Sequence, residues 1–149
     1  MVFASRLRPD AVLISPEVAD KWVLLREMVE AAAGAWELSS ELLARSHRCL
    51  VAREESVSTG MEAGIAVPHA AVEGLEEVVC GLALLPKGLA FDSLDGQPAQ
   101  VVVMILVPKH EKLAHLSTLT EVARRLGDRD FRDRLLRASA PEEVLQLWA

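Results

Sequence analysis

Apolar residues recur along this chain in two rhythms, and the change from one to the other lays out the fold. Val18, Trp22, Leu25, Val29 and Ala32 stand at the spacing of one helical face. Ser15-Pro16-Glu17 ahead of them reads as a helix start, with serine as N-cap and proline at the first helical position, and Gly34 suits the position just past the end. A second helix is predicted after Ser39 or Ser40, with Leu42, Ser46, Cys49 and Leu50 on its inner stripe and Leu43 beside it. The next step of that series is Arg53, which places the arginine on the inward side at the helix end, while His47 falls off the stripe onto the surface.

The rhythm then changes. Val78 to Leu85 and Val101 to Val107 are unbroken apolar runs, the length of strands buried on both faces, and Ala11 to Ile14 is a shorter strand. Asp95-Gly96 is a turn signal between the two long runs, and Pro98 marks a strand entry. After Pro108 a third helix is predicted from about Glu111 to Leu126, with Leu113, Leu116, Leu119, Val122, Ala123 and Leu126 facing inward. Asp128 or Asp130 starts a fourth helix carrying Phe131, Leu135 and Leu136, and Ser139-Ala140-Pro141-Glu142 starts a short last one. Strand, two helices, loop, strands and then helices make an α/β chain, in the form of a three-layer α/β/α sandwich. Residues 1–10 show no periodicity and read as a tail, and 11–149 as a single domain.

Between the helical part and the long strands lie the seventeen residues Arg53 to His69, with two glycines and a late proline. They read as a loop over one end of the sheet, and a loop longer than about 12 residues inside a compact domain is usually functional. Its ends carry the chemistry. A guanidinium is a planar fork for phosphate or carboxylate, and a neutral imidazole suits nucleophilic attack or proton transfer near neutral pH. That pairing points to phosphoryl chemistry. Arg53 has a second reading, as a cation complementing the helix C-terminus. His115, in the first turns of the third helix, has two as well: contact with a phosphate near the helix N-terminus, or a satisfied core histidine.

Composition narrows the rest. A net charge of -6 with no Lys/Arg run longer than two excludes the footprint of a nucleic-acid binder. Cys49 and Cys80 read as free thiols of a reducing compartment. The apolar runs are far short of the ~20 residues that cross a bilayer, so the expectation is a cytoplasmic protein. His110 and His115 are five residues apart where a zinc helix needs four, and no Gly-Lys-Ser/Thr or Gly-x-Ser-x-Gly motif is present, so a metal site, an ATP-driven kinase and acyl transfer are not supported.

Arg53-Glu54, Ser58-Thr59-Gly60 and Gly64-Ile65-Ala66-Val67-Pro68-His69 together resemble the signature of the fructose/mannitol-type enzyme IIA domains of the bacterial phosphotransferase system, including their nitrogen-regulatory relatives. Ala90 to Pro98, Leu106-Val107-Pro108, His115-Leu116 and Ala123 to Leu126 agree with it, so the resemblance covers nearly the whole chain from Ala11. It implies a mixed sheet between helices. It also implies that His69 accepts a phosphoryl group from the phosphocarrier protein HPr and passes it to a IIB domain of a sugar permease, with Arg53 and His115 helping to hold the group and no metal or organic cofactor. Ser58, Thr59, Gly60 and Gly64 would then shape a phosphate-binding loop through backbone N–H groups. Where many relatives have Gly-Asn-Gly, this chain has Glu62-Ala63-Gly64, which restricts the backbone and adds a carboxylate. The alternative is a regulatory module that docks to a target protein, with phosphorylation as the switch.

Overall fold

The computed structural model describes residues 2–149; the side chains of Val2, Lys112, Ala114 and His115 lie outside that description. Among the described residues the order is α1 (Val2–Arg6), a 3-10 turn (Pro9–Ala11), β1 (Val12–Ile14), α2 (Lys21–Ala35), α3 (Ser40–Ser56), β2 (Ile65–Ala66), β3 (His69–Val72), β4 (Val79–Leu89), β5 (Ala99–Pro108), α4 (Lys112–Leu126), α5 (Arg129–Leu136) and α6 (Pro141–Trp148).

The two long apolar runs form the antiparallel centre of the sheet, with Leu82 opposite Val103. Parallel β1 lies along the far edge of β4. The free edge of β5 is covered in two pieces, β2 opposite Val101 and Val102 and β3 opposite Ile105 to Pro108, both parallel. Pro68 separates the pieces: it has no N–H to donate, but its carbonyl accepts from Ile105 N–H at 3.0 Å, so the edge is bent rather than lost. The result is a mixed sheet.

Alternation along the strands divides the core. Cys80, Leu82, Leu84, Val103, Ile105 and Val107 pack on one face with Val122 and Leu126 of α4, Phe131 of α5 and Trp148 of α6. Val79, Ala83, Val102, Met104 and Leu106 pack on the other with Leu24, Leu25 and Met28 of α2 and Leu50 of α3. Helices therefore cover both faces, the expected α/β/α sandwich.

Several local expectations change. Residues 2–10 are not a tail: Phe3 is fully buried, its ring 4.5 Å from that of Trp148, and its N–H donates to Glu121 Oε2 at 2.8 Å. One aromatic residue at the right place outweighs the missing periodicity. Helix α2 starts not at Ser15-Pro16-Glu17 but at Lys21, where Asp20 Oδ1 accepts from Val23 N–H. In that first turn Trp22 is partly outward and Lys21 is buried. Ser39 caps α3 as expected, accepting from Leu42 N–H. In α4 the buried stripe is Thr118, Val122 and Leu126, leaving Leu113 and Leu116 exposed rather than facing in. No helix of the described residues is long and apolar enough to cross a membrane.

Candidate phosphoryl-acceptor site

Helix α3 does not stop at Arg53 but runs through Ser56, and the expected seventeen-residue loop divides into a helix end, an eight-residue loop (57–64), and the broken edge strand that begins at Ile65. His69 is the first residue of β3. Since Ala70 and Val72 belong to the core under α2 and α3, alternation turns His69 to the opposite face, the side covered by α4. Arg53 arrives from the other layer, on α3, which packs against β3. β3 thus carries α3 on one face and turns His69 to the other, the side on which α4 packs.

His69 is half-buried, and its Nδ1 lies 2.7 Å from the carbonyl oxygen of Val67. A carbonyl only accepts, so this bond places the proton on Nδ1 and leaves the lone pair of the neutral ring on Nε2. An imidazole oriented in this way is a nucleophile at one defined nitrogen.

Arg53 donates from Nη1 to Val57 O at 2.8 Å and so ties its own helix end to the start of the loop. The other donors of the fork have no partner among the described residues. The helix-end reading is therefore realised by one nitrogen, without occupying the rest of the guanidinium. The side chain of His115 lies outside the described residues; its backbone is in the first turns of α4, as expected.

The loop donors are mostly engaged. Ser58 Oγ donates to Phe91 O at 2.6 Å and accepts from Gly60 N–H at 3.0 Å. Thr59 N–H donates to Glu54 Oε2 at 3.0 Å, and the Thr59 hydroxyl donates to Glu54 Oε1. Met61 N–H donates to Ile65 O, Ala63 N–H to Asp95 Oδ2, and Gly64 O accepts from Gln100 and Val101. The expected cradle of open N–H groups is thus a loop that has folded onto itself and onto residues 91–95. Gly60 is required by close approach rather than by φ: a Cβ there would stand 2.8 Å from Ser93 Cα and 2.9 Å from Phe91 O. Ala63 adopts φ 60°, and Glu62 is exposed.

Sequence reasoning missed Glu54, Lys21 and Asp92. Glu54 is buried, Lys21 Nζ lies 3.1 Å from Glu54 Oε2 and 3.0 Å from Asp92 Oδ2, and the ammonium also faces the rings of Trp22 at 4.9 Å and Phe91 at 5.3 Å. Burial pulls the lysine pKa down, but the hydrogen bonds to Asp92 and Glu54 and their charges more than offset it, holding the ammonium above its ordinary range. The signal in the sequence is faint: Glu54 follows Arg53 and falls beside the inner stripe.

The site thus combines a mixed α/β/α sheet, a histidine on its bent edge strand with Nδ1 bonded to a backbone carbonyl, and an arginine in the last turn of the helix that packs against that strand. The chain belongs to the phosphoenolpyruvate-dependent sugar phosphotransferase system EIIA 2 family, whose family model matches residues 6–149. It is 32% identical over 145 residues to a nitrogen regulatory protein of Bradyrhizobium diazoefficiens, covering 97% of this chain and 92% of that one. Its fold is similar to the crystal structure of nitrogen regulatory protein IIA-Ntr from Neisseria meningitidis, with a TM-score of 0.90, 27% identity and all of both chains covered. The same fold, with a TM-score of 0.76 at 20% identity over 95% of this chain and 97% of that one, occurs in enzyme IIAMTL of Escherichia coli, solved in complex with phosphorylated enzyme IIBMTL.

Proposed function

We propose that this chain is a cytoplasmic phosphoryl carrier whose acceptor atom is His69 Nε2. The observation that carries this reading is the 2.7 Å bond between His69 Nδ1 and Val67 O, which commits the other ring nitrogen to attack. An HPr-type phosphocarrier donates: the N–P bond of its phosphohistidine breaks as the Nε2–P bond forms. The positive charge that develops on the His69 ring strengthens the Nδ1–H bond to the Val67 carbonyl. Transfer of this kind asks the protein for positioning and charge stabilisation rather than covalent chemistry. The unpartnered donors of Arg53 and the ring of His115 hold the equatorial oxygens. Ser58, Thr59, Gly60 and Gly64 keep the loop in shape, and direct phosphate contact from the N–H of Thr59 or Gly60 would require giving up an existing bond.

The outlet is a protein. The complex of the mannitol enzyme with its phosphorylated IIB partner supports transfer to a IIB domain. A second reading, a regulatory target protein whose docking depends on the state of His69, is favoured by the near full-length likeness to a nitrogen regulatory protein. Incubation with labelled phosphoenolpyruvate, enzyme I and HPr tests the acceptor step. Wild type is expected to take up one acid-labile, alkali-stable phosphate and His69→Ala none; uptake by the variant at the wild-type rate contradicts the assignment.

A further inference from the structure

Four hydrogen-bonded links join the buried charge cluster to the acceptor ring. Lys21 Nζ holds Glu54 Oε2 at 3.1 Å, and the Glu54 carboxylate accepts both Thr59 N–H and the Thr59 hydroxyl. Thr59 O accepts Val67 N–H at 3.2 Å, and Val67 O accepts His69 Nδ1–H at 2.7 Å. Each link joins a different part of the chain: the first turn of α2, the last turn of α3, the loop, and the bend before β3. Asp92, exposed and at φ 54°, adds the second carboxylate to Lys21 and ties in the segment whose Phe91 carbonyl accepts from Ser58.

We propose that Lys21 and Glu54 are positioning residues for His69, fixing its Nδ1–H tautomer and the direction of Nε2 through Thr59 and Val67. Neither touches the phosphoryl group. A buried carboxylate with three donors and a buried ammonium between two carboxylates are costly to assemble for packing alone, since apolar residues of similar volume would fill the same space. What they add is geometry. Charge-assisted bonds are the short and directional ones, and here they pin both donors of Thr59, the residue whose carbonyl sets the place of Val67. If Thr59 moves, Val67 O moves, and the imidazole loses the acceptor that decides which nitrogen carries the proton. Four consecutive contacts spanning residues 21 to 69 give the Val67 carbonyl that holds the ring a support from outside its own segment.

This inference rests on the phosphoryl-carrier reading only for the consequence in rate. The tautomer is read on the unphosphorylated protein by 15N NMR of the imidazole, so the two fail separately. Thr59→Val keeps the shape and the backbone N–H but removes the hydroxyl, Thr59→Ser keeps both, and Lys21→Met removes the charge that holds Glu54. Wild type and Thr59→Ser are expected in the Nδ1–H form. Thr59→Val and Lys21→Met are expected as mixtures of tautomers, with phosphorylation per folded molecule slowed about 10-fold or more, since small misplacements of a reacting group cost up to about 100-fold. Unchanged tautomer populations in both folded variants overturn the proposal, whatever happens to melting temperature. Failure of Lys21→Met to fold leaves the decision to the Thr59 pair. A wild type that takes up no phosphate counts against the acceptor reading and leaves the tautomer result standing.

Discussion

Lys21 and Glu54, thirty-three positions apart, form an ion pair whose side chains are 6% and 1% exposed, the deepest pairing of charges in the described residues. Breaking such a pair by removing one member leaves the other charge without its compensation, at a cost of roughly 3 kcal/mol or more. Glu54→Gln should approach that figure, moderated by Asp92, which still faces the lysine. Lys21→Met/Glu54→Gln should cost clearly less than the two single losses added together. Urea denaturation of the four proteins checks this, and additive losses would show that the pair is not coupled.

Raising the pH should loosen the fold in a defined window. Lys21 has a folded pKa above its ordinary 10.5, so its contribution is complete below that value and is lost as pH rises through the folded one. Burial pushes the Cys80 thiol up to about 12, so it too stabilises the protein below its ordinary 9.0 and loses that contribution on the way to 12. Both contributions are therefore expected to be complete and unchanging with pH around neutrality, and stability to fall above about 9 to 10. Lys21→Met should flatten the upper part of that fall. An identical alkaline profile for the variant would remove Lys21 from the explanation.

The two cysteines should separate by reactivity. Cys80 is wholly buried and held as the thiol, whereas Cys49 is partly exposed on α3. Because thiolate and access govern alkylation, native protein at pH 8 should take one equivalent of iodoacetamide, at Cys49, and a second only in denaturant. Equal labelling of both in the native state would contradict the buried placement.

Two loop substitutions should act in opposite directions. Gly60→Ala forces a Cβ onto the backbone of Ser93 and Phe91, which cannot yield as a flexible side chain would, at a cost of about 1–3 kcal/mol. Ala63→Gly relieves a left-handed backbone at φ 60° worth about 1 kcal/mol, less the added freedom of the unfolded chain. Thermal melts should show a lower Tm for the first and an equal or higher one for the second. A lower Tm for Ala63→Gly would mean that the loop needs the alanine side chain.

The parts legible in the sequence were those written in period. The runs at Val78 and Val101, the stripe of α3 and the capping serine at 39 carry one-dimensional signals that tertiary structure had no reason to override. What escaped was decided by contact across the chain. The edge strand is two pieces of two and four residues around Pro68, too short to alternate visibly, and exists because β5 has a free edge to cover. Trp22 follows the helical spacing yet turns partly outward, because the helix begins at Lys21, capped by Asp20, and its first turn buries Lys21 instead. Leu113 and Leu116 follow it too, but the start of α4 projects beyond the core. At the site, His69 and Arg53 stood out through residue type and motif, while Glu54 and Lys21 look like ordinary surface charges until the fold brings them together.

The regiochemistry of the phosphoprotein tests the central claim most directly. After phosphorylation of 15N-histidine-labelled protein, the one-bond coupling between phosphorus and ring nitrogen identifies the acceptor atom. The account predicts a single phosphohistidine, at His69, with phosphorus on Nε2 and the proton retained on Nδ1 against Val67 O. Phosphorus on Nδ1, or on His47, His110 or His115 in place of His69, would contradict it.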